Sequence, residues 1–385
     1  MSQTKESELY DDILKRLLAD QYTDDPENSR YGEFGRTRTV EDTTIYSGHG
    51  EALRKPNMFL TWFAVQTLLE LEPQNAGFNI KIAGEFAERR MGANGFVEVI
   101  EAAQNKADSS PVSGGLVRYI HFRHTIAAAF VLLLLGNRVQ YVRSTLEFLI
   151  SENIQNDDGG WPISHSSDEY KHSDLWTSAY TSLFLYFCLA KKVASTVQSS
   201  DVQMAIEKTL GYFLMKYFEG GWSYKVVSDK LETSSALYVL LAPILYGRKK
   251  SRIHPLFNEA PKYLLKCVKN GTLVNCGKDD FNKNQIYAMM VKAAFALRFA
   301  IRSDSLILKT YWEIRQSLLE NYSHLIPLSA YDLCCLMIMI KKDRLRGKKI
   351  KLMNLWDKIG PIMKHAPIVG KPIDVASDLS KLINR

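Results

Sequence analysis

The chain has 385 residues, of which 46% are hydrophobic and 24% are charged, and it carries a formal net charge of +7. This composition is typical of a globular protein with a large core and excludes disordered or collagen-like chains. Seven basic residues and one acidic residue lie within the segment 341–351. The rest of the chain is therefore close to neutral, which argues against a protein coated with positive charge for nucleic acid.

The cysteines and the hydropathy indicate a cytoplasmic protein. The five cysteines lack the spacing of a disulfide framework or of a paired Cys-x-x-Cys motif. The longest uncharged apolar run, 125–135, is shorter than the about 20 residues that cross a bilayer. The polar and acidic N-terminus does not resemble a secretory signal. We therefore expect a cytoplasmic protein with free thiols.

Helical periodicity dominates the chain, and no convincing pair of strands is evident. Leu9, Ile13 and Leu17 follow an i, i+4 spacing that predicts an amphipathic opening helix, and residues 22–54 then read as a loop. Further helices are predicted at 59–71, 77–90, 117–135, 138–154, 173–192, 201–217, 232–246, 256–269, 283–301, 304–321, 328–342, 350–364 and 373–383.

The predicted helices alternate in character. Helices such as 173–192 are apolar on all sides and are expected in an inner layer, whereas helices such as 201–217 are amphipathic and suit an outer layer. This alternation predicts an all-α fold, a single α/α barrel of about six helix pairs. An open solenoid is the alternative, but its repeats are usually shorter, at about 34–47 residues. The predicted domains are 1–54, an N-terminal helix and loop packed on the barrel; 55–345, the barrel; and 346–385, a C-terminal helical extension.

Two segments repeat one pattern 61 residues apart. The first, Gly159-Gly160-Trp161, precedes Thr177-Ser178-Ala179-Tyr180, and the second, Gly220-Gly221-Trp222, precedes Ser234-Ser235-Ala236-Leu237. This pattern resembles the repeat shared by squalene/hopene cyclases and protein prenyltransferase β-subunits, most clearly in 157–190 and 218–246. The resemblance implies a terpenoid-cyclase-like barrel in which the Trp side chains tie neighbouring helix pairs together.

The resemblance also implies where a catalytic acid would lie. Cyclases of this family protonate their substrate with an Asp-x-Asp-Asp motif just before a helix, which requires a carboxyl group held in its protonated form. The matching stretch here keeps Asp174 at the first position but has Trp176 and Thr177 at the other two. Asp174 is thus the candidate catalytic residue, and an N-cap for the following helix is the alternative role.

A zinc site is the second activity that the resemblance implies. Prenyltransferases of this family bind zinc through an Asp-x-Cys pair and a His one repeat later. Asp332 and Cys334 have the first spacing, but His365 alone remains downstream and lies outside a repeat-like helix start. Because zinc needs three converging protein ligands, we expect no cofactor and keep zinc at Asp332 and Cys334 as the less favoured alternative.

The central cavity of such a barrel is expected to be apolar and aromatic with a few polar groups. Arg123 and His124 begin an apolar helix, in which the i, i+4 spacing would place Tyr119 and Arg123 on one face. Arg123 would there either hold a phosphate or carboxylate or pair with a neighbouring loop. The candidate ligand-binding residues are Trp62, Phe63, Arg123, His124, His172, Trp176, Tyr180, Tyr238 and Tyr287.

Three functions follow from these patterns. The first is a barrel that binds an apolar ligand or a protein partner without its relatives' usual catalysis. The second is an active isoprenoid cyclase or prenyltransferase with non-standard catalytic residues. The third is another α/α-barrel enzyme, acting on carbohydrate with carboxylates such as Asp158 and Glu232 as acid and base. In each case the basic segment 341–351 is a candidate contact for an acidic partner, a phosphate or a membrane surface, and nucleic acid is not expected.

Overall fold

The computed structural model describes residues 3–35, 58–91, 96–104, 111–136, 138–151, 154–164, 172–218, 221–222, 261–266, 283–300, 305–322 and 328–344. The protein is mostly helical, which confirms the all-α prediction at this level. The helices are α1 (Gln3–Ala19), α2 (Met58–Leu71), α3 (Gly77–Arg90), α4 (Phe122–Leu135), α5 (Val139–Ser151), α6 (Leu175–Ala190), α7 (Ser199–Met215), α8 (Lys283–Ala300), α9 (Ser305–Asn321) and α10 (Ala330–Arg344).

The predicted helices from 59 to 342 that fall on described residues begin and end within three residues of the observed ones, with one exception at α4. Residues 261–266 are also helical, inside the predicted helix 256–269. The predicted helices 232–246, 350–364 and 373–383, and with them the predicted extension 346–385, lie outside the described residues.

The expectation that the chain has no strand pair is wrong. Strands β1 (Glu98–Gln104) and β2 (Pro111–Ile120) form an antiparallel pair in which Glu98 lies opposite Ile120. Because 117–120 belong to β2, helix α4 begins at Phe122 and the helical face predicted for Tyr119 and Arg123 does not exist. The β-branched and aromatic residues of β2 are followed closely by the apolar sequence of α4. The strand's alternation of side chains, which repeats every two residues, is therefore obscured by the longer helical pattern.

Two further pairs of very short strands, which the sequence did not predict, lie within the described residues. Strand β3 (Trp161–Pro162) pairs with β4 (Ser173–Asp174), and β5 (Tyr217–Phe218) pairs with β6 (Gly221–Trp222). Both Gly-Gly-Trp segments thus end in a strand. An isolated bridge between His121 and Ser164 joins the start of α4 to the end of the first such loop.

Five helices lie side by side as a row of neighbours, in the order α6, α4, α2, α10 and α8. Helices α2, α4, α6 and α10 are buried over most of their length. The sequence of α4 explains this, because a helix that is apolar on all sides is stable only inside the protein. The remaining helices pack against this row: α3 on α2 and α4, α5 on α4, α7 on α6, α9 on α8 and α1 on α10.

The first Gly-Gly-Trp segment joins α6 to α7. The buried indole of Trp161 donates a hydrogen bond to Thr209 Oγ1 on α7 at 2.9 Å, and its backbone N–H donates to Ser178 Oγ on α6 at 2.9 Å. Gly159 has φ +84°, and a Cβ there would lie 2.4 Å from the carbonyl oxygen of Lys208. A glycine is therefore required at this position. In the second segment, the indole of Trp222 donates to the carbonyl oxygen of Phe213 on α7.

Polar contacts connect helix α1 to α9 and, through Glu72, to α10. Arg315 on α9 forms an ion pair with Glu6 at 3.1 Å. Glu72, the residue directly after α2, accepts hydrogen bonds from Tyr10 at 2.6 Å and from Lys341 of α10 at 2.8 Å. Within the described part of the chain, no helix is both long and apolar enough to cross a membrane.

Candidate functional site at the start of helix α6

The pairing of β3 with β4 fixes the position of Asp174. Trp161 lies opposite Asp174 and Pro162 lies opposite Ser173 in this antiparallel pair. The turn before β3 is closed by Asp158 Oδ1, which accepts hydrogen bonds from the backbone N–H of Gly160 and from the hydroxyl of Ser173. Asp174 then ends β4 with an extended backbone and immediately precedes α6.

Asp174 is the N-cap of α6 and also forms an ion pair. Its Oδ2 accepts hydrogen bonds from the backbone N–H and the hydroxyl of Thr177, both at 2.6 Å. The same oxygen accepts from Arg123 Nε at 3.2 Å and lies 2.7 Å from Arg123 Nη2. The capping role considered for Asp174 and the ion pair considered for Arg123 are therefore both present, and both use the same carboxylate oxygen. Arg123 and Thr177 thus share one oxygen of the carboxylate as their acceptor.

Arg123 reaches Asp174 because the start of α4 is tied to the loop that follows β3. The backbone N–H of Phe122 donates to the carbonyl oxygen of Ile163 at 2.9 Å, and that of His121 donates to Val97 at 3.1 Å. The Arg123 Nε also donates to Thr177 Oγ1 at 3.1 Å. The neighbouring rings of His121 and His124 lie 4.0 Å apart. Arg123 is thus engaged by groups of the protein at its Nε and Nη2 atoms.

An aromatic cluster lies beside this ion pair. It is formed by α2, α6 and α10, and Phe59 is at its centre, with ring centroids 5.1 Å from Tyr180, 5.5 Å from Tyr331 and 6.5 Å from Trp176. Phe59 and Trp176 are half-buried, whereas the other rings are buried. The members of the aromatic cluster are Phe59, Trp62, Phe63, Trp176, Tyr180 and Tyr331.

The buried phenols of the aromatic cluster stay neutral. Burial raises the pKa of Tyr180 well above its usual value, to which Asp174 adds while Arg123 opposes it. Burial likewise raises the pKa of Tyr331. Tyr180 therefore senses both charges of the ion pair, so the aromatic cluster and the ion pair belong to one electrostatic environment.

The cluster contains four of the predicted cavity residues and two that the sequence reasoning missed. Phe59 lies one turn before Phe63 on α2, and Tyr331 lies in the first turn of α10. A search for aromatic residues in the first turn of every apolar helix would have found both.

The other predicted site residues are placed differently. His172 is exposed and precedes β4, so it lies near Asp174 in sequence but on the protein surface. Tyr287 belongs to α8. Tyr238 and Glu232 lie outside the described residues, as do the loop residues 165–171.

Asp332 and Cys334 have structural roles at the start of α10. Asp332 Oδ2 accepts from the backbone N–H of Ser329 at 3.2 Å, and Ser329 Oγ accepts from the backbone N–H of Asp332 at 3.3 Å, which is a reciprocal capping box. Cys334 is fully buried, and burial raises the pKa of its thiol and so disfavours the thiolate that zinc requires. The described residues contain no group of three or more His, Cys, Asp and Glu that could hold a metal ion.

A separate pocket of about 390 Å³ lies between α5 and α7, beside Trp161. Its walls mix apolar and polar side chains, and Met204 on its rim is exposed. The lining residues are Leu149, Ile150, Ser151, Gln155, Trp161, Thr196, Val197, Asp201, Met204, Ala205 and Lys208.

The first two lysines of the basic segment 341–351 are engaged within the protein. Lys341 lies 2.8 Å from Glu72, and Lys342 lies 2.8 Å from Glu70. Residues 345–351 lie outside the described residues. A contact of this segment with an acidic partner, a phosphate or a membrane surface therefore stays a prediction that rests on its remaining basic residues.

Comparison of the sequence with protein-family models and with curated proteins gives no significant match in either case.

Proposed function

We propose that the chain is a terpenoid-cyclase-like α/α barrel that binds a small apolar ligand at the aromatic cluster, without the catalysis usual in the family it resembles. The observation that carries this proposal is the arrangement of half-buried Phe59 and Trp176 beside the Arg123–Asp174 ion pair. Apolar surfaces that converge with a few polar groups are the usual form of a ligand site.

The row of helices supports the barrel. The five inner helices each have an outer neighbour, and α1 packs against α10, the last described helix. A ring would be closed by one more pair between α6 and α8. The predicted helices 232–246 and 256–269 fall at that point of the chain, and we propose them as the sixth pair.

The surroundings of Asp174 support a loss of the acid-initiated reaction. The position where the family places its proton donor is occupied by Trp176, whose ring lies 5.8 Å from that of Tyr180. Asp174 itself is engaged as the N-cap of α6 by Thr177 and as the ion-pair partner of Arg123. The stretch 174–177 thus keeps one of the three carboxyl groups of the family's motif, and that one is engaged by the protein.

Binding of a neutral fluorescent probe, N-phenyl-1-naphthylamine, tests the ligand site. We expect saturable binding by the purified protein. Trp176→Ala should weaken it by about 1.5 kcal/mol, or about tenfold in Kd, since one aromatic contact is lost. Phe78→Ala is the matched control, because Phe78 is an exposed aromatic residue on α3. Equal Kd values for the unaltered protein and Trp176→Ala would contradict the site.

The proposal that the usual catalysis is absent is tested separately. Incubation with squalene, and separately with farnesyl diphosphate and a cysteine-containing peptide, should leave the substrates unchanged by mass spectrometry. A product that disappears in Asp174→Asn would establish instead the active isoprenoid enzyme.

A further inference from the structure

Within the part of the chain that the structure describes, only one oxygen of the Asp174 carboxylate accepts hydrogen bonds. Oδ2 accepts every hydrogen bond described above, whereas Oδ1 is buried without a hydrogen-bond partner among the described residues. Asp174 as a whole is 4% exposed. A buried carboxylate oxygen without a donor is costly, so Oδ1 is a position at which a donor from a bound molecule would be favourable.

A second buried polar atom lies in the aromatic cluster. The indole Nε1 of Trp62 has no acceptor among the described residues, and Trp62 is 2% exposed. Its ring lies 5.9 Å from that of Tyr180. Among the described residues, the aromatic cluster therefore has a donor without an acceptor, and Asp174 has an acceptor without a donor. A hydroxyl group has both the complementary donor and the complementary acceptor capacity.

The charges of the site favour a neutral molecule. The Arg123 guanidinium and the Asp174 carboxylate are 2.7 Å apart and cancel one another. An anionic headgroup placed at Oδ1 would meet the carboxylate, and a cationic one would compete with Arg123 for it. A neutral donor satisfies Oδ1 without disturbing the pair.

The following inference rests on the proposed function. We propose that the ligand is a neutral apolar molecule with a hydroxyl group. Its O–H donates to Asp174 Oδ1, and its hydrocarbon part lies against the aromatic cluster. Because Oδ1 is itself buried, the side chains that cover it must move for the hydroxyl to reach it.

Three ligands with one alkyl chain test this proposal: dodecan-1-ol, its methyl ether and dodecyl phosphate, each used to displace N-phenyl-1-naphthylamine from the unaltered protein below its aggregation concentration. We expect the alcohol to bind about tenfold or more tightly than the ether, which keeps the oxygen but lacks the O–H. The phosphate should bind more weakly than the alcohol.

Each other result overturns the proposal in a distinct way. Equal affinities of the alcohol and the ether would show that no donor is recognised, although the apolar ligand site itself would stand. Tightest binding of the phosphate would assign the site to an anion held by Arg123 and the neighbouring histidines. If neither the probe nor any of the three compounds binds, the proposed function fails as well.

A variant adds an independent readout. Asp174→Asn places an amide in the cap, and we expect the preference for the alcohol over the ether to fall to about twofold or less, because the charged acceptor is gone. Phe78→Ala should keep the full preference. If Asp174→Asn does not fold, the ligand series on the unaltered protein decides the question alone.

Discussion

Asp174 combines two stabilising roles in a single oxygen atom. It caps α6 through Thr177 and it neutralises Arg123, which begins the neighbouring inner helix. Asp174 is almost completely buried, whereas about 30% of the Arg123 side chain is exposed. The loss of stability is therefore expected to be largest when Arg123 alone is removed, because the buried charge of Asp174 then has no counter-ion.

Arg123→Met should destabilise the protein by about 2–3 kcal/mol, since Asp174 keeps its charge but loses its counter-ion. Urea unfolding measures the change. The double variant Arg123→Met/Asp174→Asn should recover part of the loss, because Asn is a good neutral N-cap. Arg138→Met is the control: Arg138 forms an ion pair with Glu88 at 2.6 Å but is 54% exposed, so we expect less than about 1 kcal/mol. A double variant that is no more stable than the single one would contradict the explanation.

At the scale of an element, the first Gly-Gly-Trp segment acts as a junction between helices. Thr209 of α7 accepts hydrogen bonds from the Trp161 indole and from Gln155 Nε2, at 2.9 and 3.0 Å. Both donors are side chains of the segment that precedes α6. One hydroxyl thereby connects the outer helix α7 to the loop that positions Asp174.

Thr209→Val should cost about 1–3 kcal/mol of unfolding free energy, because it removes the acceptor of the buried Trp161 indole and one acceptor of Gln155. Thr145→Val is a matched control. Thr145 is equally buried, but its hydroxyl donates only to Tyr141 of its own helix in the described contacts, and we expect less than about 1 kcal/mol. Thermal unfolding of the two variants, compared with the unaltered protein, gives the result. Equal losses would mean that the junction adds nothing beyond the burial of a hydroxyl.

At the scale of the whole molecule, contacts of Glu72 bring together α1, α2 and α10. Burial alone would raise the pKa of Glu72, but hydrogen bonds from Lys341, Tyr10 and Asn75 outweigh it and lower the pKa below its usual value. A carboxyl group whose pKa is lower in the folded state stabilises the protein above the pKa of the unfolded chain, about 4.3, and this contribution is lost as the pH falls through the folded value.

Glu72→Gln should therefore lower the unfolding free energy by about 1 kcal/mol at pH 7, with a difference that disappears towards pH 3. Urea unfolding at pH 7, 5 and 3 measures it. Glu85→Gln serves as the control, because Glu85 is exposed and lies 3.8 Å from Lys81, and its effect should stay within about 0.5 kcal/mol at each pH. A Glu72→Gln effect that does not change with pH would refute a role for the charge.

The sequence predicts most of the helices because their apolar period is strong over a dozen or more residues, as in α4 and α6. It does not predict β2, since the alternating residues up to Ile120 merge with the apolar run of α4. The role of Asp174 as an N-cap is readable locally, from its place before Thr177. Its pairing with Arg123 is not, because it depends on a bridge between His121 and Ser164 that joins distant loops. The aromatic cluster is likewise predictable only in part. The sequence shows which residues are aromatic, but it does not show which rings contact one another.

The contact between Glu6 and Arg315 joins residues that are 309 positions apart. A ribosome that adds about 5–20 residues per second needs roughly 15–60 s to make the intervening chain. During that interval α1 has emerged without α10, the helix that covers Tyr10, Ile13 and Leu17 in the finished protein. Helix α1 is thus synthesised long before the helix against which it docks. A nascent chain, or one that ends before α10, would leave the apolar face of α1 without this partner.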